Sequence, residues 1–205
     1  MVQLFLDGGG FMWPILGIGA IGLIFVGERL YHLINGLQAN DQFALDVASI
    51  AENDSYDSAM KRCESTPGPV SNLCYNALEK ASGGVEESEK ALEQTAGIEM
   101  ASLEKNMTWI SLCIATAPML GFLGTVWGMI QAFNDIKMAN DISPAIVAGG
   151  ISVALLTTAF GLVVAVILQI LQNTVLYIID NQIVTMQRAT TYLLDAIKSK
   201  SSKNN

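Results

Sequence analysis

The stretch Ile142–Ile179, ISPAIVAGGISVALLTTAFGLVVAVILQILQNTVLYII, runs for 38 residues without one Asp, Glu, Lys or Arg. A helix needs about 20 apolar residues to cross the ~30 Å hydrocarbon core of a bilayer. Two further windows share the property, Gly8–Gly27 with 20 residues and Asn106–Asn134 with 29. All 19 acidic and 11 basic side chains of the 205-residue chain lie outside these windows. The pattern predicts an all-α membrane protein with three transmembrane helices and no ionisable group inside the bilayer. At 1.5 Å per residue the longest window would make a helix of about 57 Å, more than a bilayer uses. One continuous helix is therefore expected from Pro144 to about Ile197, with Gln169, Gln172, Asn173 and Gln182 marking its return to water.

Composition agrees. The chain is 51% hydrophobic and 15% charged, against about 25% charged in ordinary soluble domains. The net charge of −8 resides between the windows and argues against a nucleic-acid partner. The three cysteines, Cys63, Cys74 and Cys113, form no disulfide framework. They read as small semi-buried side chains, reduced if the polar segment is cytoplasmic. No His pairs with them at zinc-ligand spacing, and neither a metal nor a cofactor is expected. The N-terminal window has no preceding Lys or Arg and no small-x-small site after it, so it reads as a retained anchor rather than a cleaved signal.

Positive residues accumulate on the cytoplasmic face of a membrane. With the N-terminus outside, Arg29, Lys61, Arg62, Lys80, Lys90, Lys105, Arg188, Lys198, Lys200 and Lys203 fall inside and only Lys137 outside. The expected organisation is N-out and C-in. Residues 1–10 form a periplasmic tail, 11–27 the first span and 28–105 a cytoplasmic helical region. Residues 106–133 form the second span, 134–143 a periplasmic hairpin and 144–172 the third span. Residues 173–198 are a cytoplasmic helix and 199–205 a disordered tail. Helical periodicity in Phe43–Met60 and Val85–Leu103, punctuated by Ser65–Pro69 and Ser82–Gly84, predicts two or three amphipathic helices in the polar region. Glu86, Glu87, Glu89, Glu93 and Glu99 give the last of these an acidic face, solvated or used to dock a neighbour's basic residues such as Lys61 and Arg62.

Two spans share one spacing. Gly121, Thr125, Gly128 and Ala132 lie in the second, and Ala154, Thr158, Gly161 and Ala165 in the third, each at i, i+4, i+7, i+11. That spacing is one helix face. Small residues permit close helix packing, and a Thr hydroxyl can bond a carbonyl one turn back. The alternative is a pore wall in which Thr125 and Thr158 line an ion path, with Gly121, Gly128, Ala132, Ala154, Gly161 and Ala165 leaving room beside them.

Pro118–Ile130, PMLGFLGTVWGMI, resembles the second-span signature of the ExbB/TolQ/MotA family of proton-channel subunits, and Gly149–Leu162, GGISVALLTTAFGL, resembles its third-span signature. Gly9–Leu16 and Glu28-Arg29-Leu30 are similar to a common start of three-span ExbB-like members. The resemblance covers the spans and their order, about half of the chain, and is weak over residues 35–100. It implies a pentamer around two helices of a single-span ExbD-like or TolR-like partner, whose membrane aspartate carries protons past Thr125 and Thr158. It further implies an inner-membrane location, and proton flow coupled to mechanical work on the outer membrane or cell envelope. Many ExbB and TolQ members carry a glutamate five residues before the third-span threonine, where this chain has Val153, which leaves proton against sodium open. A non-conducting scaffold that assembles partner proteins is the alternative reading. An enzyme fits poorly, because no nucleophile–base pair, metal cluster or phosphate loop is present.

Overall fold

A computed structural model describes residues 2–36, 40–139 and 144–204. Its elements are α1 (Val2–Asp7), α2 (Met12–Gly36), α3 (Asp41–Asn53), α4 (Tyr56–Glu64), α5 (Pro69–Lys80), α6 (Val85–Leu103), α7 (Met107–Ala139) and α8 (Pro144–Asn204), with a 3-10 turn at Ala81–Gly83. No strand occurs among the described residues. Among the described residues three helices are long and apolar enough to cross a membrane. The chain divides into two units, one of residues 1–28 and 106–174, the other of residues 29–105 and 175–205.

The apolar unit holds α1, most of α2, all of α7 and the first half of α8. Its outward faces carry bulky apolar side chains that water would not tolerate on a soluble bundle. Ile24, Met119, Phe122, Phe133 and Leu155 are each more than 60% exposed. Inward, α2 meets its neighbours through glycine. A Cβ on Gly19 would stand 3.1 Å from Val164 Cγ1, and one on Gly22 only 2.6 Å from Leu168 Cδ1 and 3.3 Å from Cys113 Cβ. Aromatic rings fasten the rest. Phe25 stacks on Trp109 with centroids 6.3 Å apart, and Phe5 meets Trp13 edge-on at 5.3 Å and Phe160 at 6.4 Å. Phe5 lies on α1, so residues 2–7 are a packed helix where a tail was expected.

The polar unit is built on α3 to α6 together with the ends of α2 and α8. The periodic stretch Phe43–Met60 is two helices rather than one, and α5 is an additional one. The break falls at Asp54-Ser55, which contains neither Gly nor Pro. Ser55 caps α4, its hydroxyl accepting from the Ser58 amide at 3.1 Å. Val85–Leu103 is α6 at the expected bounds, entered through Gly84 at φ +110, a backbone conformation that L side chains rarely adopt. The core gathers Leu33, Phe43, Val47, Val70, Leu73, Leu78, Leu92, Val175, Ile179, Leu193 and Ile197, each at most 4% exposed. Arg29 is buried at 1% and donates to the Ser102 carbonyl at 3.2 Å. The helix α2 thus continues past Glu28 and Arg29 to Gly36 instead of closing at residue 27.

Two other boundaries differ from the sequence reading. Helix α7 runs on to Ala139, so residues 134–139 are helical where a hairpin was expected; the remainder of that hairpin, residues 140–143, lies outside the described residues. Helix α8 is 61 residues without interruption and includes residues 199–204, expected as a disordered tail. The cause is tertiary. Ser199 donates to Glu52 Oε1 at 2.9 Å, and the Lys200 ammonium donates to the Ala51 carbonyl at 2.7 Å and to the Asp54 carbonyl. Lys200 thereby satisfies carbonyls that the end of α3 leaves open.

Candidate functional site

The small-residue face of α7 and that of α8 pack against each other. A Cβ on Gly161 would stand 2.6 Å from the Ala117 carbonyl oxygen, and one on Gly121 2.9 Å from the Thr157 carbonyl oxygen and 3.1 Å from Thr158 Cα. A Cβ on Gly128 would lie 3.2 Å from the Ala154 amide nitrogen, and one on Gly150 2.3 Å from Ala132 Cβ. Backbone rests on backbone along this seam, as small residues allow in a membrane helix pair. Ala132, Ala154 and Ala165 are buried at 4%, 4% and 8%, and Gly121, Gly128 and Gly161 are buried too. Within one chain these six residues are covered by helix packing.

The two threonines stand differently, for both are half-buried at the margin of the seam. Thr125 donates its hydroxyl to the Phe122 carbonyl at 2.6 Å. Thr158 donates across to the Gly121 carbonyl at 3.3 Å. Gly121 precedes Thr125 by one helical turn, so the antiparallel run of α7 and α8 brings the two hydroxyls to neighbouring levels. Each hydroxyl spends its hydrogen on a carbonyl, which leaves oxygen lone pairs to accept from water or a protonated acid.

Sequence spacing missed Thr157. It is 1% exposed and donates to the Ala154 carbonyl at 2.8 Å and the Gly121 carbonyl at 3.3 Å. The available signal was a 3- and 4-residue alternation along α8: Ala154, Thr157, Gly161, Ala165, Leu168, Gln172, Val175, Ile179, Gln182, Met186, Ala189 and Leu193 are all buried. Gln172 and Gln182 belong to this buried row and do not mark a return to water. Gln172 donates to Ser111 Oγ at 2.6 Å. Gln131 and Asp135, one turn apart on α7, line a cleft of about 400 Å³ with Gly128, Ala132, Gly149, Gly150 and Val153. Val153 on α8 thus shares its cleft with an acid from α7. No group of three or more His, Cys, Asp or Glu able to hold a metal occurs among the described residues.

Residues 65–188 match the model of the MotA/TolQ/ExbB proton channel family. An ExbB homolog named for biopolymer transport in Methanothermobacter thermautotrophicus is 31% identical over 184 residues, covering 89% of this chain and 65% of that protein. An ExbB-like protein of Synechocystis is 31% identical over 169 residues, covering 81% of this chain and 66% of that one. The biopolymer transport protein ExbB of Xanthomonas campestris is 39% identical over 99 residues, or 45% of this chain and 39% of its own length. The chain thus spans just under two thirds of the length of the first two of these relatives.

Proposed function

The chain belongs to the MotA/TolQ/ExbB proton channel family, and from that premise we propose that it is the channel-forming subunit of an ion-driven motor in the bacterial inner membrane. In this reading several copies, five by the family resemblance, surround two membrane helices of an ExbD-like or TolR-like single-span partner. The partner brings an aspartate, and proton flow through that aspartate is converted into work on the outer membrane or cell envelope.

The observation that carries the proposal is the state of Thr125 and Thr158 in a membrane unit with no acid or base in its charge-free windows. Hydroxyls held as donors to carbonyls accept a hydrogen bond from a protonated carboxylic acid and exchange it for one from water. They stabilise a passing proton carrier without titrating themselves. An ionisable group inside a bilayer is costly and marks function, and here that group is assigned to the partner. Asp135 and Gln131 supply a polar mouth at one end of the α7–α8 seam. The tight seam keeps the two helices of each copy in register, so that the threonines of successive copies form a ring.

The test is proton uptake by vesicles holding this protein with and without its partner. Uptake is expected only from the pair. Uptake by this protein alone removes the borrowed aspartate, and with it the proposal. The carbonyl partners of both threonines are also compatible with a scaffold in which the hydroxyls only support packing. Thr158→Val separates the two readings. The motor requires assembly with loss of energised function, whereas full function at normal expression favours the scaffold.

A further inference from the structure

Cys63 closes the last turn of α4, and Cys74 lies in the second turn of α5. Both are buried, at 3% and 1%. Ser71, one turn before Cys74 on the same face of α5, donates to the Cys63 carbonyl at 2.6 Å. That bond turns this face of α5, with Cys74 on it, onto the end of α4 that carries Cys63. The pair is chemically unequal. The neighbouring Cys74 thiol, with Ser71 and the Arg62 guanidinium, holds the Cys63 thiol below its ordinary range against burial and the Glu64 charge. The Cys74 thiol is pushed up by its neighbour Cys63 and by burial, and stays protonated. Access is unequal as well. A crevice of about 220 Å³, lined by Cys63, Glu64, Ser71, Asn72 and Tyr75, reaches Cys63 and not Cys74.

We propose that Cys63 and Cys74 form an oxidisable dithiol, with Cys63 the sulfur that attacks a hydroperoxide and Cys74 the sulfur that resolves the product. The Cys63 thiolate attacks one peroxide oxygen. The O–O bond breaks, and the leaving hydroxide takes a proton and departs as water. Cys63 is then a sulfenic acid. Cys74 sulfur attacks it, the S–O bond breaks, and the oxygen leaves as a second water with the Cys74 proton. Two thiols and one hydrogen peroxide give one disulfide and two waters. The product ties α4 to α5 across the Ser65–Gly68 turn. Cys113, on α7, has no place in the reaction.

The experiment treats the purified full chain in detergent with hydrogen peroxide, then denatures it without reductant, counts thiols and maps the peptides. The native protein is expected to lose two of its three free thiols, to give a Cys63–Cys74 linked peptide, and to recover both thiols with dithiothreitol. In Cys74→Ser, dimedone is expected to label Cys63. In Cys63→Ser, no linked peptide forms. Any of three results overturns the proposal: linkage through Cys113 or between chains in place of the 63–74 pair, sulfinic acid at Cys63 with no disulfide in the native protein, or thiol loss only after denaturation. Peptide mapping of the unsubstituted chain decides among these even if a variant fails to fold.

Discussion

Adjacent threonines on α8 sit in different surroundings. Thr157 is 1% exposed and bonded to two carbonyls, so it belongs to packing. Thr157→Val, close in shape but lacking the hydroxyl, is expected to lower stability by about 1 kcal/mol, read as a lower thermal unfolding midpoint in detergent. Thr158 is half-buried, and its oxygen keeps lone pairs free. Thr158→Val is expected to leave the unfolding midpoint nearly unchanged and to remove partner-dependent proton uptake. If both variants lost only stability, the division between the two residues would be wrong. The sequence identified Thr158 through its spacing and its resemblance to a family motif. It did not identify Thr157, because one residue of helix rotation separates a seam from its margin, and only the packed partner shows where the seam lies.

Glycines of equal appearance within helices give opposite predictions. Gly161 faces the Ala117 carbonyl at 2.6 Å from an added Cβ, while Gly97, on α6, has nothing within 4 Å. Gly161→Ala must force α7 and α8 apart. Overpacking of this kind costs about 1–3 kcal/mol, and is expected to appear as reduced thermal stability together with loss of uptake. Gly97→Ala meets open space and is expected to stabilise α6 by up to about 1 kcal/mol, through the lower backbone entropy of the unfolded chain. A destabilised Gly97→Ala would mean that a neighbouring copy occupies that face. Glu86 and Glu87 occupy the first turn of α6 and favour it through the helix dipole. Reversing Glu86, Glu87 and Glu89 to Lys is expected to weaken both α6 and the oligomer in native mass measurements. An unchanged subunit count would assign these carboxylates to the helix alone.

For the molecule as a whole, surface charge contributes little to stability. Arg188 and Asp41 pair on the polar unit with side chains 55% and 39% exposed. Arg188→Ala is expected to cost under about 1 kcal/mol, with unfolding in urea as the measure. The sequence by itself determined the three apolar helices, their order, the unbroken α8 and the family, because charge-free runs and small-residue spacing are properties a bilayer reads locally. It placed Val85–Leu103 correctly for the same kind of reason, a helical period bounded by Gly84. The tertiary structure decided what locality cannot reach. Residues 199–204 stay helical because α3 offers carbonyls to Lys200. Gln172 is buried because Ser111 accepts its amide. The small stripes become a seam because two antiparallel helices come within backbone contact. In each case a polar or small residue has two acceptable environments, and the choice between them rests with a partner distant in the chain.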